Sequence, residues 1–367
     1  MGRAGSAVTV TMHDVAMRAG VSIKTVSNVI NDYPHIRPET RSRVEEAIEH
    51  LGYRLNTTAR NLRTRRTDMI TLAVPELSLP YFAELADSVI RSAEERGLTV
   101  LIEQTSASRA REIEVLTGKR RHLTDGLIFS PLALGPDDRD LFTVSFPLVV
   151  LGERVFDVPA DHVTMNNVAA AKAATMHLAS LGRRRIAVVG AHDGEQVGSA
   201  ALRTAGYRQG LDEAGLPFDP ALVGEAGLWH RSTGAETMAR MLDSGVEVDA
   251  VFALNDAMAL GALHALHARR VAVPEDVALM GFDDIDDVKY SVPTISSVDP
   301  GREQIARTAV DLLVERITGL GERPFRRVVP DSRIVGREST GDVASGAGEV
   351  VAAVQPGRVD EVVVAAG

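Results

Sequence analysis

The chain contains no cysteine. Disulfide frameworks, thiolate zinc sites, iron–sulfur clusters and cysteine nucleophiles are therefore excluded. No apolar run approaches the ~20 residues that cross a bilayer. Met1–Val10 lacks the apolar centre of a signal peptide, so a cytoplasmic protein with no membrane partner is expected. Catalytic signatures are also missing. There is no phosphate loop, no G-x-G-x-x-G after a strand, no H-E-x-x-H and no G-x-S-x-G elbow. His264 and His267 form a lone helical pair, which is poor support for a metal. No cofactor and no enzymatic activity are expected. Aromatics make up only 4% of residues, with a single tryptophan, Trp229.

What is present is a globular composition, 45% apolar and 25% charged over 367 residues. That length exceeds what one core usually organises, so two or three domains are expected. Charge divides unevenly. Residues 1–67 carry 11 Lys and Arg against 6 Asp and Glu, net +5; the other 300 carry 29 against 44, net −15. A small basic head on an acidic body suggests a polyanion-binding module joined to something else.

The head is patterned. Thr11-Met12-His13-Asp14 reads as a capping box, and Val15, Ala16 and Ala19 follow before Gly20 ends the helix. Ser22 is the next N-cap, and Val26, Val29 and Ile30 give the second helix its apolar face. Pro38 opens a third helix with Val44, Ala47, Ile48 and Leu51 inward, ended by Gly52. Two short helices joined by a tight Gly-containing turn describe a helix-turn-helix. Three short helices can also be a plain structural bundle. The second helix, however, presents Ile23, Lys24, Thr25, Ser27 and Asn28 outward, flanked by Thr11, Ser22, Asn31, His35 and Arg37. Hydroxyls, amides and helix N-termini position phosphates, and Lys24 and Asn28 suit base edges.

These residues resemble the LacI/GalR repressor headpiece. The match is carried by Asp14-Val15-Ala16, Ala19-Gly20-Val21-Ser22, Thr25-Val26-Ser27 with Asn31, Thr40-Arg41 with Val44, and Leu51-Gly52-Tyr53 with Asn56. The resemblance places base reading on Ile23, Lys24 and Asn28. Many relatives carry arginine where Asn28 stands, which predicts a shift from guanine toward adenine. Asn56 to Leu62 reads as a linker or a marginal short helix. The resemblance makes it a hinge helix whose Ala59 and Leu62 enter the minor groove, Leu62 as a wedge. Leu55 departs from a proline common in the family.

From Thr71 onward short apolar strands alternate with helical patterns, as in Thr71–Val74, then a helix from Tyr81 to Arg96. This β-α-β series predicts a parallel doubly wound sheet. A second series begins after Asn166-Asn167, so two similar lobes are expected, with a ligand between them at strand ends. Asn255-Asp256 and Asp283-Asp284 sit at such ends; each alone is as well read as a helix cap. Leu254-Asn255-Asp256-x-Met258-Ala259-x-Gly261, Gly281-Phe282-Asp283-Asp284 and Arg203-x-Ala205-Gly206-Tyr207 extend the family resemblance to about residue 339. By resemblance, Arg203, Asn255 and Asp283 bind effector hydroxyls, Tyr81 and Phe82 contribute from the first lobe, and Trp229 stacks on a sugar ring. Trp229 reads equally as a core residue.

The expected fold is thus α plus α/β. A three-helix helix-turn-helix headpiece spans 1–56, and a hinge helix and linker span 57–68. Two doubly wound α/β lobes of periplasmic-binding-protein type span 69–340, the N-lobe about 69–167 and 296–329, the C-lobe about 168–295 and 330–340. Residues 341–367 have no amphipathic repeat and are expected to be a disordered tail. With no leucine heptads there, a homodimer is expected rather than a tetramer. The expected function is a repressor that binds a near-palindromic double-stranded operator under control of a small effector, a carbohydrate or related polyol. A free solute-binding protein and an α/β sugar-acting enzyme are the competing readings.

Overall fold

A computed structural model describes residues 10–30, 33–53, 66–118, 123–319, 324–341 and 349–354. It divides into two units, Met1–Thr67 and Asp68–Gly367.

In the first unit, α1 (Met12–Ala19), α2 (Ile23–Ile30) and α3 (Pro38–Leu51) form a bundle. The Thr11 backbone N–H donates to Asp14 Oδ2 at 2.8 Å, and the Asp14 N–H returns to Thr11 Oγ1 at 3.4 Å. The capping box is complete. Gly20 and Gly52 end α1 and α3 at φ +64° and +60°, a left-handed conformation that costs glycine nothing. Val15, Ala16, Ala19, Val26, Val29, Val44 and Ala47 are buried together. Seven small apolar side chains make a small core, so the caps matter to this unit's stability.

The second unit holds two parallel sheets and one small antiparallel sheet. The first lobe contains β1 (Met69–Val74), α4 (Pro80–Glu94), β2 (Thr99–Gln104), α5 (Arg109–Thr117), β3 (Gly126–Phe129), β4 (Leu148–Leu151) and β5 (Asp161–Val163). The second contains α6 (Asn167–Ser180), β6 (Ile186–Ala191), α7 (Ser199–Glu213), β7 (Val223–Glu225), α8 (Arg231–Asp243), β8 (Ala250–Ala253), α9 (Asp256–Ala268) and β9 (Ala278–Met280). Then come β10 (Ser297–Asp299), α10 (Arg302–Ile317), β11 (Arg327–Val328), β12 (Ser332–Gly336) and β13 (Glu349–Val354). The sheet orders are β11-β5-β4-β3-β1-β2, β7-β6-β8-β9 and β10-β12-β13. In each large sheet the first strand has neighbours on both sides, which is the doubly wound switch point. β3, β4, β6 and β8 are buried throughout, hence their near-continuous apolar sequence.

The chain passes between lobes three times, after β5, after β10 and before β12. Two expectations change here. Residues 296–299 sit with the second lobe, since Ser296 bridges Met280, β10 pairs with β12, and Val298 lies in that lobe's core. Their assignment to the N-lobe was one crossing too early. The tail is not wholly without structure either. β13 pairs antiparallel with β12, from Ser332 opposite Val354 to Gly336 opposite Glu349. The ladder is irregular between Ile334 and Val335, where the partner steps from Ala352 to Val350. Most of the hinge, residues 57–65, lies outside the described residues. No described helix is long and apolar enough to cross a membrane.

Candidate ligand cleft and nucleic-acid interface

In the first unit, Thr11 and Ser22 spend their hydroxyls as caps, Ser22 Oγ accepting from the Thr25 N–H at 3.1 Å. Both residues are exposed at helix N-termini, the ends of α1 and α2 that favour an anion. On α2, Ile23 is 46% exposed and Lys24 is exposed, while Thr25, Ser27 and Asn28 are half-buried. His35 is exposed, and Tyr53 packs partly on the small core. Asn31, Asn56, Ala59 and Leu62 lie outside the described residues.

In the second unit, a cavity of about 500 Å³ lies between the lobes. Its polar lining comes from strand ends. The first lobe supplies Glu76 after β1, Gln104 at the end of β2 and Ser106 after it, Ser130 after β3, and Glu153 and Arg154 after β4. The second supplies His192 after β6, Trp229 and His230 after β7, Asn255 after β8, and Asp283 after β9. Tyr81, Phe82 and Arg203 also line it, so all six effector candidates meet in one cavity.

Several of them are already engaged. Arg203 is 3% exposed; its Nε donates to Asn167 Oδ1 at 2.7 Å and Nη1 donates to the Leu254 carbonyl. Its guanidinium stacks over Phe282 at 3.5 Å and lies 5.2 Å from the Trp229 ring. Asn255 caps α9, accepting from the Met258 N–H at 2.8 Å, and donates to the Trp229 carbonyl at 3.1 Å. Asn255 is therefore both cap and cleft residue. Trp229 is half-buried, packs on the second-lobe core and donates Nε1 to the Gly190 carbonyl at 2.9 Å. Trp229 thus packs on the second-lobe core and also lines the cavity. Gly190 itself lies at φ +114°, and an added Cβ there would lie 2.2 Å from Met258 Cε.

Asp283 is 5% exposed and adopts φ +113°, a strained conformation for a non-glycine residue. It is held by its N–H donating to the Val298 carbonyl at 2.8 Å and by Arg302 Nη1 donating to its carbonyl at 3.0 Å. Burial pushes its carboxyl up to about 7, against the pull of Arg203 at 3.6 Å and of Arg302. Burial, with the Asp283 and Glu153 carboxylates, also pushes the Tyr81 hydroxyl up, so it stays protonated as a donor. The neighbouring Asp256 is wholly buried and raised mainly by burial, and it ties the loop by accepting from Ser297 Oγ and the Ile285 N–H.

The lobes are bridged around the cavity. Glu76 meets His230 Nε2 at 3.0 Å, Ser199 Oγ donates to Glu153 Oε2 at 2.8 Å, and Arg154 Nη1 donates to the Val197 carbonyl at 2.7 Å. The Asp286 N–H donates to Glu84 Oε1 at 2.9 Å. Sequence reasoning missed Glu76, Glu153, Arg154, His192, Glu195 and His230. The strand-end rule, applied to the first lobe as it was to the second, points to Glu76 and Glu153. Among the described residues no cluster of His, Asp or Glu could hold a metal.

Known proteins share both units. A model of bacterial regulatory proteins, lacI family, matches residues 11–56, and one of a periplasmic binding protein-like domain matches 175–340. The HTH-type transcriptional regulator CelR of Thermobifida fusca is 35% identical over 339 residues, 90% of this chain and 98% of that protein. A solved LacI-family regulator from Sanguibacter keddieii is 55% identical with TM-score 0.70, over 75% of this chain and 99% of its own. A CelR–cellobiose complex is 33% identical with TM-score 0.66, over 90% and 99%. A lac repressor dimer bound to operator is 25% identical with TM-score 0.76, over the same shares.

Proposed function

The chain belongs to the lacI family of bacterial regulatory proteins, and from that premise we propose that it is a cytoplasmic, dimeric repressor controlled by a carbohydrate and acting by binding rather than catalysis. One observation carries the reading. The chain that bears an outward-facing α2 with Lys24 and Asn28 also bears a cleft where Trp229, Arg203, Asn255, Asp283, Tyr81 and Phe82 converge. A pyranose presents C–H groups to an aromatic face and hydroxyls to the polar groups around it.

In this reading Ile23, Lys24 and Asn28 meet base edges. Thr11, Ser22, Thr25, Ser27, Asn31, His35 and Tyr53 position phosphates, and Asn56, Ala59 and Leu62 form the hinge in the minor groove. Two-fold symmetry demands a near-palindromic operator. Effector and operator must each change the other's affinity by one common factor.

The experiment is selection of bound duplexes from a random DNA pool at near-physiological salt, followed by release assays with sugars. A palindrome released by a saccharide is the expected result. No enriched sequence, with and without pooled metabolites, overturns the DNA-binding part. A palindrome that responds only to nucleobases overturns the carbohydrate part. Equal effector affinity with and without operator overturns the coupling.

A further inference from the structure

We infer that the ligand of the cleft is an uncharged saccharide of two rings, not a monosaccharide and not a sugar phosphate. This rests on the carbohydrate reading above and deepens it by length and charge.

Length comes from the sheets. In the first lobe the lining residues follow four adjacent strands in the order β2, β1, β3, β4, from Gln104 to Arg154. Three intervals of ~4.8 Å give a floor ~14 Å long. The second lobe repeats this over β7, β6, β8, β9, from Trp229 to Asp283. One pyranose with its hydroxyls spans only about half of such a floor, and two linked rings span all of it.

Volume agrees. At the packing density of organic crystals, one hexose occupies roughly 190 Å³ and a disaccharide roughly 360 Å³. In a cavity of about 500 Å³, a single ring leaves space for about ten waters at roughly 30 Å³ each. Two rings leave room for only a few bridging waters. The cavity does not simply shrink around a smaller guest. The bridges Glu76–His230, Glu153–Ser199, Arg154–Val197 and Glu84–Asp286 already join the lobes at separate places around it.

Charge decides the class. The lining holds the carboxylates Glu76, Glu153, Glu195 and Asp283 against the guanidinium groups Arg154 and Arg203. Each guanidinium has a carboxylate partner, Arg154 with Glu195 and Arg203 with Asp283, both at 3.6 Å. At the first turn of α7 the Ser199 hydroxyl donates to Glu153 Oε2, which already sets a carboxylate beside that helix N-terminus. A phosphate entering here must compete with those carboxylates for guanidinium groups that are already paired, and Glu195 and Glu76 are likewise engaged with His192 and His230, whereas neutral hydroxyls can share these paired groups as donors and acceptors.

The test is isothermal titration of the full-length protein with three sets of probes. They are hexoses (glucose, galactose, mannose), neutral disaccharides of varied linkage (cellobiose, maltose, lactose, melibiose, trehalose), and the 6-phosphate of the best binder, with nucleosides run in parallel. Quenching of Trp229 fluorescence provides the second readout. The expected result is a neutral disaccharide binding about 100-fold more tightly than its component hexose, and about tenfold or more weakening on phosphorylation. A hexose that matches the best disaccharide, or a phosphate that improves binding, overturns this inference and leaves the carbohydrate reading standing. Silence from every disaccharide at millimolar concentration overturns it as well. A nucleoside that binds where no saccharide does overturns both.

Discussion

Replacing Asp283 with asparagine isolates one carboxyl at the centre of the cleft. In the folded chain burial raises it to about 7, from an unperturbed value of 3.8. A carboxyl raised on folding binds a proton more tightly in the folded state. Its stabilising contribution is therefore full below about pH 4 and is lost as pH rises through about 7. Between pH 5 and pH 8 the loss from this group is about 2.5 kcal/mol, at about 1.4 kcal/mol for each tenfold difference in proton affinity. Asp256 is raised too and slopes the same way, so wild type alone does not separate the two. The asparagine cannot ionise, and Asp283→Asn should lose about 2.5 kcal/mol less than wild type over that interval. Urea unfolding at pH 5 and pH 8 reads the difference. Trp229, the only tryptophan, reports the second unit directly from the cleft. Parallel pH dependence in wild type and variant refutes the reasoning, because Asp283 would then be ionised throughout.

Three further outcomes follow from the same geometry. Glu112 is wholly buried and accepts from the backbone N–H groups of Leu132, Ala133 and Leu134. Glu112→Ala orphans those donors beneath the cleft wall and should cost about 3 kcal/mol in urea unfolding, while Glu112→Gln recovers part of it. A fully stable alanine variant would show that the loop re-pairs elsewhere. In the headpiece, Asn28→Arg should move the preferred base from adenine toward guanine by about 1–3 kcal/mol of discrimination. An unchanged operator in duplex selection would remove Asn28 from base reading. Ending the chain at Gly341 strips β13 from the edge of β12. It should lower stability by about 1–2 kcal/mol and raise hydrogen exchange of the β12 amides; unchanged exchange would show that β13 adds no protection.

The headpiece and the alternation of strands and helices were legible because their signals are local. Thr11 reaches Asp14, Ser22 reaches Thr25, and Gly20 and Gly52 act within one turn. A buried parallel strand declares itself as an apolar run, as in β6 and β8. The six cleft candidates were named through family resemblance, and the structure brings them around one cavity. What each side chain does there was not legible. Nothing near Asn255 in sequence announces that it holds the Trp229 carbonyl 26 residues away, or that Arg203 is spent on Asn167 and Leu254.

By itself the sequence determined the helix boundaries of the head, the two-lobed α/β pattern, the charge division and the absence of thiol chemistry. These depend on neighbours within a few residues or on composition. Only the tertiary structure decided which strand ends face one another, and so that Glu76 meets His230 across 154 residues and Glu153 meets Ser199 across 46. It also decided that burial raises the Asp283 carboxyl and that part of the tail joins a sheet. Desolvation, cavity volume and strand pairing are properties of surfaces brought together from distant parts of the chain, and no local pattern encodes them.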